Sequence, residues 1–184
     1  MTWDLPVTVD IQGTAYDIRS DYRCILDICA VIADPELDGQ EKSEAVLKIF
    51  SPDYDAIPPG YRQDAVERCL WFVGGGDDWD GRRSPKLVDW EQDYPLIIAP
   101  VNRVLGREIR KLKHLHWWTF LGAYHEIGDC TFAQVVRLRD HIARGKKMDK
   151  SDQEWYRRNR QLVDFKNRYT ADDDETARLW GCGV

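Results

Sequence analysis

Three histidines, His114, His116 and His125, fall within twelve residues, followed closely by Glu126, Asp129 and Cys130. Imidazole nitrogen, carboxylate and thiolate are the donors zinc takes, so a metal site is the first chemistry to test. A helical pair of ligands needs a spacing of three or four residues, whereas His114-x-His116 sets its rings about 200° apart around a helix. No HExxH or paired Cys/His spacing accompanies them. Imidazoles satisfied within an aromatic cluster or at a helix start are therefore expected, with no metal and no cofactor.

Other chemistries fare no better. The five cysteines, Cys24, Cys29, Cys69, Cys130 and Cys182, contain no CxxC pair. The first four sit in apolar contexts, as buried free thiols of a reducing compartment do. There is no GxSxG elbow, and the carboxylates of Asp77-Asp78 and Asp172 to Asp174 lie in polar stretches where nothing raises a pKa for acid catalysis. The run Gly74-Gly75-Gly76-Asp77-Asp78 resembles a phosphate cradle only loosely, because it lacks the GxxxxGK[ST] or GxGxxG spacing and no alternating strand precedes it. A non-enzyme is expected.

The elements that would position these groups are mainly helical. Val7 to Ile18 alternates apolar and polar residues around Gln12-Gly13, a hairpin signal in which Gly13 takes the positive φ. Ser20 or Asp21 can cap a helix to about Ala33, ended by Asp34-Pro35. A second helix is expected over Gly39 to Phe50, with Glu41, Lys42 and Lys48 outward, and a third from about Tyr61 to Val73. Gly74 to Lys86 then has the composition of a linker. Beyond it, Leu87 to Leu105 is helical, with Asp93 as cap, a kink or break at Pro100 and Gly106 as stop. Further helices are expected over Leu115 to Ile127, from Asp129 or Thr131 to Arg144, and from the Ser151 to Glu154 capping box to about Lys166. The fold class is thus mainly α, a bundle-like array of six to seven helices with a short N-terminal β-hairpin. Its regions are 1–76, a linker 77–86, a helical part 87–170 and a frayed tail 171–184.

With 184 residues, 43% hydrophobic and 32% charged, the chain has room for one domain or two small ones. Its 8 Trp, 8 Tyr and 5 Phe exclude wholesale disorder. No apolar run approaches the roughly 20 residues of a membrane helix, and the start lacks the basic and apolar regions of a signal peptide, so a cytoplasmic protein is expected. The net charge of -6 conceals polarity. Residues 1–100 carry 9 basic and 20 acidic side chains, residues 101–170 carry 16 and 8, and the rest 1 and 4. Opposite blocks of charge steer head-to-tail association or capture of a charged partner. A basic segment holding Trp117, Trp118, Trp155 and Tyr156 also suits nucleic acid, but its cations interleave with acids, and solvated helix faces explain them better.

Four segments carry a resemblance: Asp89-Trp90-Glu91-Gln92-Asp93-Tyr94-Pro95, Gly106-Arg107-Glu108-Ile109-Arg110, Leu115-His116-Trp117-Trp118-Thr119-Phe120-Leu121 and Phe132-Ala133-Gln134-Val135-Val136-Arg137-Leu138-Arg139. Together with the N-terminal Trp-Asp-Leu-Pro and hairpin, they make the chain similar to the bacteriophage gene product fifteen family, encoded beside the tape-measure gene of long-tailed phages. The resemblance implies a non-catalytic tail-assembly chaperone, or alternatively a structural component kept in the virion tail. Its implied partners are the tape-measure protein, the major tail-tube protein and further copies of itself, in the host cytoplasm. It also implies a partner surface drawn from Trp90, Asp93, His116, Trp117, Trp118, Phe120, Arg137 and Arg139, although tryptophans spaced like Trp117 and Trp118 more often belong to a core.

Overall fold

The computed structural model describes residues 4–77 and 85–166. Most of the expected linker and the whole expected tail 171–184 lie outside them. The described chain is mainly α: strands β1 (Thr8–Ile11) and β2 (Thr14–Asp17) precede helices α1 (Tyr22–Ala33), α2 (Gly39–Phe50), α3 (Arg62–Val73), α4 (Trp90–Leu105), α5 (Trp117–His125), α6 (Thr131–Ala143), α7 (Lys150–Arg158) and α8 (Arg160–Val163). The helix expected from Ser151 to Lys166 is two helices. Asn159 interrupts it by turning its side-chain amide onto the Trp155 carbonyl at 2.9 Å, a local bond that competes with the helical ladder.

The described residues fall into two compact units: 4–77 with Leu112–Leu121, and 85–111 with 122–166. The chain passes from one to the other within α5.

In the first unit the hairpin pairs Ile11 with Thr14 and Val9 with Tyr16. Gln12 and Gly13 both take positive φ, 53° and 81°, the geometry of a two-residue hairpin turn, and Asp10 accepts from the Gly13 N–H at 3.1 Å. Val9 and Ile11 point inward and β1 packs on α3. Asp21 caps α1, and Asp38 with Glu41 forms a capping box on α2. The three helices bury Tyr22, Ile25, Ile28, Val46, Leu47, Phe50, Cys69 and Phe72, each large apolar side chain contributing about 1.5–3 kcal/mol. Lys42, expected outward, is buried at 2% exposure. It stands one turn before Val46 on the same inner face, and its long stem packs there.

The segment Leu112–Leu121 completes this unit from far along the chain. Asp21 and His116 form an antiparallel bridge, with Tyr22 N–H on the Leu115 carbonyl at 2.9 Å and Trp117 N–H on the Ser20 carbonyl at 2.7 Å. Gly74 to Gly76 are not slack. They end α3, with Gly75 and Gly76 at φ of 80° and 95°, and a Cβ on either would come within 2.9 Å of Leu121 or Trp118. Glycine there permits close approach of two packed segments.

The second unit is organised by α4 and α6. Asp89, not Asp93, caps α4 by accepting from the Gln92 N–H at 3.0 Å, while Asp93 reaches back to the Asp89 N–H at 2.9 Å. The helix begins at Trp90, three residues after the expected Leu87, but its cap lies a turn before the expected Asp93, which leaves Asp93 on the inner face. Pro95 and Pro100 lie inside α4, yet the helix runs unbroken to Gly106 at φ 65°. Burial of Ile97, Ile98, Pro100 and Val101 outweighs the roughly 3 kcal/mol a proline costs. Cys130 caps α6, its Sγ accepting from the Ala133 N–H at 3.5 Å, in place of Asp129 or Thr131. Asp149 caps α7 through the Asp152 N–H at 2.7 Å. Ser151 therefore lies inside the first turn, because the charged carboxylate two residues earlier is the stronger acceptor. Val135, Leu138 and Val163 form the core, against Leu96, Met148, Trp155 and Leu162.

Candidate partner-binding site

The residues expected to face a partner are largely structural. Asp93, His116, Trp117, Phe120 and Arg139 are each no more than 5% exposed, which corrects their assignment to a partner surface. Trp117 donates its indole N–H to the Val73 carbonyl at 2.8 Å and stacks on Phe120, which stacks in turn on Tyr22 at 5.0 Å. Trp118 is half-buried, its indole N–H on the Phe72 carbonyl at 2.9 Å. The polar end of each indole caps carbonyls at the end of α3, and the apolar body fills space.

His116 uses both ring nitrogens. Its Nε2–H donates to the Pro6 carbonyl at 2.9 Å, and Nδ1 accepts from the Trp118 N–H at 3.1 Å, so the neutral ring caps α5. Burial holds its pKa below the ordinary imidazole range; the Pro6 carbonyl opposes this and His114 adds to it. His114 lies 3.2 Å from the Ser20 hydroxyl. Among the described residues no group of three His, Cys, Asp or Glu side chains is placed to hold a metal ion.

In the second unit Arg139 occupies the centre. All five of its N–H groups are used: two on the Asp93 carboxylate, the others on the carbonyls of Leu87, Leu162 and Val163 at 2.8–2.9 Å. Its guanidinium also lies 4.2 Å from the centre of the Phe165 ring. Arg137, two residues earlier, points the other way. It is half-exposed, and binds Asp152, whose carboxyl it draws below the usual range.

What remains open is a groove of about 420 Å³ where α5 turns into α6. Ile127 and Phe132 form its floor, Tyr124, Ala133 and Val136 its walls, and His125 and Arg137 its rim. Trp90 supports one wall from behind, its ring 5.0 Å from that of Tyr124. Burial, with the charge of Asp93 and then Cys130, pushes the Tyr124 phenol up to about 12, so it stays neutral and able to donate. Arg103 donates to the Ile127 carbonyl and fixes the turn. The groove has no nucleophile, no paired carboxylates and no anion cradle in its lining. Its lining is mostly apolar, with His125 and the Asp152-bound Arg137 at the edge. Of the eight expected residues only Arg137 lines it. The i, i+4 pair Phe132 and Val136, following a helix stopped at Gly128, is the sequence signal that locates it.

A second, polar hollow of about 510 Å³ lies between the hairpin and α3, lined by Asp10, Gln12, Asp64, Glu67, Arg68 and Trp71. Gln12 donates to Asp64 across it. Among the described residues no helix is long and apolar enough to cross a membrane.

A family model described as Bacteriophage Gp15 protein matches residues 1–165. No curated protein and no solved structure matches the chain.

Proposed function

The chain belongs to the bacteriophage Gp15 family, and from that premise we propose that it is a non-catalytic tail-assembly chaperone that keeps the tape-measure protein soluble in the host cytoplasm. A tape-measure chain consists largely of long helices whose apolar stripes aggregate when uncovered. A helix laid in an apolar groove is the usual way such a stripe is covered. The observation that supports this reading is the apolar groove over Ile127 and Phe132, lined also by Tyr124, Ala133 and Val136. The major tail-tube protein is a second partner, since it must replace the chaperone as the tube polymerises along the tape measure.

Co-expression with the tape-measure protein tests the reading. The wild-type chain should co-purify with it and keep it in the soluble fraction. Val136→Asp, which sets a charge in the groove wall, should weaken capture by about 30-fold, the equivalent of about 2 kcal/mol. Failure of the wild type to retain any part of the tape measure would overturn the proposal. Mass spectrometry of purified virions then separates a chaperone, absent from the particle, from a tail component, present in stoichiometric amount.

A further inference from the structure

Among the described residues Leu5 and Val7 are the two most exposed large apolar side chains, at 48% and 60%. They flank Pro6 on a segment that is held fast. The Pro6 carbonyl accepts from His116 and the Val7 carbonyl from the Ile18 N–H at 3.0 Å. Two apolar side chains on a pinned segment form a hook whose ordering cost on binding is already met.

The two units also differ in sign. Within the described residues the hook's unit carries 7 basic against 15 acidic side chains, a net of -8, and the groove's unit 15 against 11, a net of +4. Asp4 adjoins the hook, and the charged or titratable side chains lining the groove are His125, Tyr124 and Arg137, the last already bound to Asp152. Glu126 and Asp129 of the same turn are exposed but are not among its lining residues.

We propose that the Asp4 to Val7 segment of one copy docks in the Tyr124 to Val136 groove of a second copy, an association through unlike faces. Leu5 and Val7 meet Ile127, Phe132 and Val136, and the opposite net charges of the two units favour the encounter. The contact is small and therefore weak, with opposite charge accelerating encounter. Each end of the assembly retains one free hook or groove, so it can grow beyond the dimer. The inference concerns the isolated chain and stands whether or not the groove also takes a tape-measure helix.

Sedimentation velocity of the purified full-length chain from about 10 to about 500 µM, with no other protein present, tests it. The wild type should show concentration-dependent self-association. Leu5→Asp, which removes the hook, and Val136→Asp, which removes the groove, should each weaken it at least 10-fold. Their equimolar mixture should yield a one-to-one heterodimer and nothing larger, because one intact hook and one intact groove remain. Ala133→Glu serves as the groove variant if circular dichroism shows Val136→Asp to be unfolded. A wild type monomeric at 500 µM, variants that still self-associate, or a mixture that stays monomeric would each overturn the proposal. So would protection of Leu5 from proteolysis that is lost in Val136→Asp at dilution, which places the hook in its own chain's groove.

Discussion

The guanidinium of Arg139 and the carboxylate of Asp93 meet edge to edge at 2.5 and 2.9 Å, with neither side chain more than 3% exposed. Such a pair is costly to desolvate and costlier still to break, since removing one partner strands a buried charge. Asp93→Asn should therefore cost about 3–5 kcal/mol of stability, read as a lower midpoint in urea. Arg139→Met should cost at least as much, because it also frees the carbonyls of Leu87, Leu162 and Val163. The double variant should fall short of the sum by about 1 kcal/mol or more, and strict additivity would show that the two side chains do not act as a pair.

His116 makes the first unit sensitive to mild acid. The unfolded chain takes up a proton near pH 6.5, whereas burial keeps the folded ring neutral to lower pH. Stability is complete above that unfolded value and declines as pH falls through the folded one. Thermal melting should drop between pH 7.5 and 5.5 in the wild type, and less in His116→Asn, whose amide caps α5 without titrating. Asp21 is also held below its ordinary range: burial raises it, but bonds from the Arg23 side chain and the Leu115 and Arg23 N–H groups outweigh that. Its contribution is lost only at more acid pH, so the two effects separate.

Glycines at positive φ differ in cost by what surrounds them. Gly13 has open space around it, so Gly13→Ala should cost about 1 kcal/mol from its backbone alone. At Gly76 a methyl would meet the Trp118 ring at 2.9 Å, and Gly76→Ala should cost about 2–4 kcal/mol, with a shift in tryptophan fluorescence. Equal losses at the two positions would show that the indole gives way freely.

Cysteine is a poor helix cap. Cys130→Ser offers an oxygen acceptor to the Ala133 N–H in place of sulfur and should raise stability by about 0.5–1 kcal/mol in urea unfolding. No gain would mean that thiol packing matters more than the cap.

The sequence made local features legible. Alternation around Gln12-Gly13, the caps Asp21 and Gly106, and the apolar stripe of α1 all follow from neighbours within one or two turns. Which of several nearby residues caps a helix was not legible, since Asp89 takes the place of Asp93, Asp149 that of Ser151 and Cys130 that of Asp129 or Thr131, and spacing alone does not reveal that. The role of Arg139 was hidden because Asp93 lies 46 residues away and both look like surface charges in a charged protein. The same holds for Lys42, assigned outward for its charge although it stands four residues before the buried Val46. The Gly74 to Gly76 run was misleading in the opposite sense, since a composition typical of linkers also suits a tightly packed helix end. The groove was visible only as two helix stripes, because it exists through the turn that brings Ile127 beside Phe132.

The late arrival of Leu112–Leu121 governs how the protein emerges from the ribosome. At roughly 5–20 residues per second, the 44 residues between 77 and 121 take about 2–9 s to synthesise. Throughout that interval α3 ends without the indoles that cover Phe72 and Val73. A nascent chain stopped before Leu121 is thus a natural client for host folding factors, and a fragment ending at residue 77 should not fold alone.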